Sequence, residues 1–291
     1  MEKRHMGKIK IPVMEMTRDS VLTGSGHSSK GNQLKWEKDG YWYKADALGY
    51  EGLAEVVVSA MLRKTDIKDF VEYEPVFIGY HGKYYRGCRS RNFRQQGEEI
   101  VTLEKLYRMM TGMSLAMELA HFAETKQRIV HTVKFVENVT GLQDFGAYLA
   151  KLLEIDGFFL NEDRHTNNIA LLYHAHTDTY RPCPFFDMGL SLFADLTDSF
   201  PVEDSYEKCL KKIEAKPFSR DFLEQMDAAD TLYGDYLCFD MSRYEVYKLI
   251  DDLKEKYEAP DGLEWYSKEE WGRVENTLAE QAHSYSYAFR K

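Results

Sequence analysis

The stretch from Asn161 to Gly189 constrains this chain more than any other. A segment with apolar Phe145, Tyr148, Leu149, Leu152 and Leu153 at helical spacing, opened by Asp144 as a cap, runs straight into a polar knot. The knot reads Asn161-Glu162-Asp163-Arg164-His165-Thr166-Asn167-Asn168. Two strands are expected next, 169–174 and 181–189, joined by a polar loop at 175–180. The second strand ends in Phe186-Asp187-Met188-Gly189. Asn168 therefore stands five positions after Asp163 in a loop behind a helix, and a hairpin delivers Asp187 beside them.

Those residue types suit phosphoryl transfer from ATP. One carboxylate has to orient or deprotonate an acceptor hydroxyl, and an Asp and an Asn supply hard oxygen ligands for magnesium on the phosphates. Asp163 and Asn168 alone are as readily a helix cap and turn. Asp187-x-Gly189 after a strand pair lowers the weight of that plainer reading.

Upstream, residues 1–22 read as a polar lead-in with one weak strand at 8–16. Lys38-Asp39-Gly40 marks a turn between short strands, and His81-Gly82 marks a second hairpin. Between them, Leu53, Val56, Val57, Ala60 and Met61 have helical spacing over 51–63 despite three valines. Beyond residue 93 the chain reads mostly as helix, opening at 102–105 and closing with a helix whose start, Ser267-x-x-Glu270, is a capping box. Met109, Met110, Met113 and Met117 have helical spacing and are expected in the core.

The wording of the knot resembles a family. Kinases of the protein-kinase fold carry an Asp, an Asn five positions on, and a later Asp-x-Gly. Asp163-Arg164-His165-x-x-Asn168 looks like the phosphoinositide-kinase branch and the bacterial HipA-like serine/threonine kinases. The small size and the wording Asn161 to Ile169 favour the HipA-like group, more narrowly its CtkA-like form. The resemblance covers residues 24–189. It implies an α/β (α+β), two-lobed protein-kinase-like fold: a small strand-rich lobe at 1–92 and a larger helical lobe at 93–291. It implies Asp163 as the catalytic Asp, and Asn168 and Asp187 as magnesium ligands.

Kinases also pair a strand lysine with a helix glutamate, so that the ammonium holds the α/β-phosphates. Lys44 in the aromatic strand Tyr41–Ala45 and Glu55 in the next helix fit that pair, with Glu51 one turn earlier as the rival partner. Gly24, Ser25, Gly26, Ser28 and Lys30 lie in a Gly/Ser tract suited to closing over ATP, though it departs from both the Walker and the protein-kinase spacing. Phosphorylation in this tract would oppose ATP binding, so autophosphorylation as an off-switch is a further expectation. Arg89 and Ser90 fall in 87–93, where chain order places the adenine-binding hinge. His165 either helps proton transfer or braces the loop. Arg164 pairs with a loop carboxylate or a phosphate. His174, His176 and Asp178 read as an exposed hairpin loop rather than a metal cluster.

The expected activity is an ATP- and magnesium-dependent phosphotransferase acting on protein Ser or Thr. Readings that stay open are a small-molecule or lipid kinase, transfer of AMP, and an ATP-binding pseudokinase or interaction module. The family also admits an antitoxin-type partner. Composition bounds the rest. At 291 residues there is room for about two domains, at roughly 150 residues each. Hydrophobic residues at 44% supply a core and exclude a disordered chain. A mean hydropathy of −0.52, with only short apolar runs, excludes a bilayer span. A net charge of −10 argues against nonspecific nucleic-acid binding. Four cysteines without CxxC spacing, and no apolar run after the basic first residues, fit a cytoplasmic protein with reduced thiols.

Overall fold

A computed structural model of the chain describes residues 7–17, 33–236 and 241–288. The expected weak strand near the start is two strands, β1 (Ile9–Lys10) and β2 (Val13–Glu15), separated at Ile11-Pro12. Next comes the hairpin of β3 (Lys35–Lys38) and β4 (Tyr41–Ala45). Its turn residues Asp39 and Gly40 both have positive φ, 51° and 76°, the geometry that matches the twist of the flanking strands. Helix α1 (Glu51–Leu62) is buried on nearly all sides, against the sheet and the helical region. That enclosure, rather than helix propensity, accommodates its three valines. Strands β5 (Glu74–Tyr80) and β6 (Lys83–Arg91) form the second hairpin around His81-Gly82. The five strands order as β2-β5-β6-β4-β3.

The next element was not anticipated. Strand β7 (Glu98–Thr102) leads into α2 (Leu103–Thr111), α3 (Leu115–Leu119), α4 (Thr125–Thr140) and α5 (Phe145–Phe159). Asp144 sits at the α5 N-cap position, but its side chain makes no capping bond. After the polar knot come β8 (Ala170–His174) and β9 (Thr179–Pro182), which join β7 in the order β7-β8-β9. The second strand of this hairpin is thus shorter than expected. Pro182 and Pro184 lack backbone donors, and beyond them Phe185 makes only an isolated bridge to Phe70. Helices α6 (Tyr206–Leu210), α7 (Phe222–Tyr233) and α8 (Arg243–Lys256), strand β10 (Tyr257–Glu258) and α9 (Lys268–Ala288) complete the fold. Helix α5 lies in the centre of the core and packs on α4, α7 and α9.

The methionines depart from expectation. Met109, Met110, Met113 and Met117 are all more than half exposed. Their spacing runs across Gly112, which ends α2 in a left-handed cap at φ 77°, so they never share one helix face. Leu103, Leu106 and Tyr107 form the buried face instead. Cys88, Cys183 and Cys209 are buried free thiols, as expected, and Cys238 lies outside the described residues. The capping box at the last helix is present: Ser267 and Glu270 exchange bonds of 2.7 and 3.1 Å. Glu270 also takes both terminal nitrogens of Arg86 on β6, and Tyr266 donates to Asp46 at 2.7 Å, tying this region to the five-stranded sheet. Among the described residues no helix is long and apolar enough to cross a membrane.

Helices α5 and α7 pack together and bring the buried carboxyls of Glu154 and Asp230 near one another. Burial, reinforced by the facing acid, pushes the Glu154 carboxyl up to about 8; burial also raises Asp230, to about 6. The folded chain keeps these protons where an unfolded chain, titrating near ~4, has lost them. This contribution to stability is therefore complete in acid and is lost as pH rises towards 8. Denaturant midpoints at pH 5 and pH 8 check this. The wild type is expected to lose more between them than Glu154→Gln, and equal losses would contradict it.

Candidate functional site

The polar knot is organised by one enclosed cation. Helix α5 ends at Leu160, whose φ of 55° turns the chain sharply into the loop. Arg164 is fully buried there, and every guanidinium donor is used. It forks onto Asp156 of α5 at 2.8 and 3.0 Å, and donates to the carbonyls of Asn168 at 2.7 Å and Phe186 at 3.0 Å. Its last contact is the Met188 sulfur at 3.0 Å. Burial opposes the Arg164 charge, but Asp156 more than restores it. Arg164 thus pairs with a carboxylate, but one of helix α5 and not of the loop as expected; enclosed, it has no access to a phosphate.

Asp163 and Asn168 meet across the turn of this loop. Asn168 Nδ2 donates to the Asp163 carbonyl at 2.9 Å and lies 3.4 Å from its Oδ2. That leaves the Oδ1 end of the amide as a ligand oxygen. His165 accepts the Asn167 N–H through Nδ1 at 3.2 Å, and its Nε2 lies 3.8 Å from Asp163 Oδ2. Burial lowers the His165 pKa, which keeps the ring neutral, with its proton on Nε2 facing Asp163. From the other side Thr166 donates to Glu104 of α2 at 2.9 Å, and Glu104 also accepts the Ala116 N–H at 3.1 Å.

The second group gathers around Lys44. Strand β4 aims Trp42 and Lys44 to one face, and the ammonium donates to Glu55 Oε1 at 2.6 Å and Asp187 Oδ1 at 2.7 Å. Tyr73 OH lies 3.4 Å away. Glu55 accepts the Met188 N–H at 3.0 Å with its other oxygen, so α1 is tied to the segment carrying Asp187. Glu51, the rival partner, is used otherwise: its carboxylate accepts the N–H groups of Ala47, Leu48 and Gly49. Burial works against the charge on Lys44, but Asp187 and Glu55 outweigh it and hold the ammonium protonated well above the usual lysine range. Burial alone would raise the Asp187 carboxyl; Lys35 and Lys44 hold it well below the usual carboxylate range. Asp187 itself sits at φ 62°, a conformation that costs a non-glycine residue energy and is retained where the surroundings enforce it.

Lys44, Glu55 and Asp187 are thus in contact, Asp163, His165 and Asn168 are in contact, and Arg164 links the two groups. Gly24, Ser25, Gly26, Ser28 and Lys30 lie outside the described residues. Arg89 and Ser90 are strand residues, because β6 continues to Arg91 with its backbone paired to β4. Arg89 turns to Glu74 at 2.9 Å and stacks over Tyr41. The connection between the sheets therefore starts at Asn92. There Phe93 packs edge-on against Trp42 at 4.9 Å and lies 5.9 Å from Phe186, and Arg94 lies over Trp42 while pairing with Glu37. His174 pairs with Thr177 and Asp178 with Tyr173 in an exposed turn, and no metal-binding group of three or more is found among the described residues.

Two cations near the site were not anticipated. Lys35 lies 3.8 Å from Asp187, directly opposite Lys44 in the hairpin. Counting back from the Asp39-Gly40 turn would have found it. Lys216 lies 3.6 Å from Asp163 and arrives from a distant loop that no local pattern links to the knot.

Replacing Asp156 by Ala leaves the Arg164 charge buried without its partner, which should cost about 3–5 kcal/mol. A denaturant melt checks this, and a change below about 1 kcal/mol would show that the pair does not hold the loop.

No protein-family model matches the sequence, and no curated protein does. Among solved structures, HipA of Shewanella oneidensis, from a complex with HipB and operator DNA, is 10% identical with a TM-score of 0.43. It covers 94% of this chain and 67% of its own, an overlap too loose to build on. The crystal structure of the Helicobacter pylori proinflammatory kinase CtkA is 15% identical with a TM-score of 0.58, over 94% of this chain and 95% of its own. The chain that brings Lys44 to Asp187 and Asn168 to Asp163 thus has a mixed α/β fold like that of the kinase CtkA.

Proposed function

We propose that this chain is an ATP- and magnesium-dependent phosphotransferase that phosphorylates protein Ser or Thr hydroxyls. It works as two lobes, 1–92 and 93–291, around the cleft. The observation that carries the reading is the Lys44 ammonium held between Glu55 and Asp187, with Asp163 and Asn168 anchored to the Asp187 segment through Arg164. The kinase fold of CtkA supports the reaction class.

The donor set fits the metal. Asp187 is ionised over the whole working pH range, and the free end of the Asn168 amide is a hard oxygen. Asn168 and Asp187 would hold magnesium, which when bound neutralises phosphate charge. Lys44 binds the α/β-phosphates, and Glu55 keeps its ammonium in place. Asp163 accepts the proton of the acceptor hydroxyl as the new O–P bond forms and the bond from the γ-phosphorus to the β-phosphate oxygen breaks, releasing ADP. His165, neutral and bonded to Asn167, orients the loop.

Incubation with γ-labelled ATP, magnesium and a protein acceptor mixture tests this. Label is expected on Ser or Thr, and Asp163→Asn and Asp187→Asn should each lower transfer by about 10³-fold. Transfer of α-label would mean AMP transfer, and label confined to lipid or small molecules would mean another acceptor class. Full γ-transfer by either variant would show the site assignment to be wrong.

A further inference from the structure

We propose that Lys216 is a catalytic cation of this site, touching the phosphoryl group as it passes from ATP to the acceptor; this rests on the phosphotransferase reading above. The Asp163 carboxylate has two differently occupied sides. Its Oδ2 faces Asn168 and His165, and its Oδ1 faces the Lys216 ammonium at 3.6 Å. That separation exceeds a hydrogen bond, yet one substrate oxygen can lie in contact with both groups.

The loop bearing Lys216 is fixed rather than draped. Ala215 N–H bonds the Arg220 carbonyl at 2.9 Å, closing the loop. Phe218 is fully buried, and its N–H donates to Gln225 of α7 at 3.0 Å. Its carbonyl accepts from Arg128 of α4 at 2.7 Å. Two helices therefore set where the Lys216 backbone lies, and its side chain reaches back to Asp163. Lys44 is enclosed between two carboxylates and Arg164 is wholly buried on Asp156. The Lys216 side chain is 36% exposed, so an incoming acceptor can reach it.

The chemistry at that point calls for a cation. The acceptor oxygen gives its proton to Asp163 and bonds to the γ-phosphorus. The bond to the β-phosphate oxygen breaks with its electron pair, and ADP departs. Charge on the phosphoryl oxygens has to be balanced on the side where Asp163, itself negative, stands. An ammonium 3.6 Å from that carboxylate supplies the balance, and removing one such donor commonly costs about 100-fold in rate.

The test compares the full chain with Lys216→Met and Lys216→Arg in single-turnover γ-transfer, alongside calorimetric binding of ATP and of ADP with magnesium. Lys216→Met is expected to slow transfer about 100-fold and to weaken ATP about 10-fold, with ADP unchanged, because only ATP carries the γ-phosphoryl. Lys216→Arg should recover part of both. Wild-type rates in Lys216→Met, or equal weakening of ATP and ADP with a lowered melting temperature, would overturn the assignment. A wild-type chain that binds neither nucleotide, or binds them without γ-transfer, would overturn the phosphotransferase reading and Lys216 with it. A wild-type chain that transfers γ-phosphate as fast as Lys216→Met does overturns Lys216 alone.

Discussion

A guanidinium with no access to water has to place each of its donors on protein atoms, and Arg164 does so on three separate segments. Asp156 fixes it to α5, the Asn168 carbonyl fixes it to the end of the loop, and the Phe186 carbonyl fixes it to the residue before Asp187. An isolated buried charge would be prohibitive, so these segments come together or the loop does not form. The spacing of Asp163, Asn168 and Asp187 is a consequence of that one enclosed side chain.

A second circuit closes on the first. Glu55 bonds Lys44 with one oxygen and the Met188 N–H with the other, so α1, β4 and the Asp187 segment share one carboxylate. The overall charge of −10 works against an anionic ligand, and around these residues it is offset locally, with three cations against three carboxylates, Glu55, Asp163 and Asp187. Lys35 and Lys44 stand at Asp187, and Lys216 stands at Asp163. Each cation lies beside a carboxylate, which holds charge in position before any substrate arrives.

Much of this was legible in the sequence because it is local. Asp39-Gly40 and His81-Gly82 fix two hairpins through the one conformation that suits their turns, and the spacing from Asp163 to Asn168 survives as a single loop. The rest depends on long-range contacts. The methionines mislead because helical spacing says nothing about a helix that stops at Gly112. Strand β7 is short and begins with two glutamates, and it exists because β8 offers it a partner. Arg164 reads in the sequence as one more polar residue of the knot; only the packing of α5 against the loop shows that it is the knot's centre. Lys216 is brought to Asp163 by α4 and α7, which carry no sign of it.

The decisive experiment is a crystal structure of the chain with magnesium and a non-hydrolysable ATP analogue. The nucleotide phosphates are expected at Lys44, with the metal held by Asn168 and Asp187 and the γ-phosphate turned towards Asp163. A nucleotide bound elsewhere, or one whose phosphates leave the contact between Lys44 and Asp187 undisturbed, would contradict it.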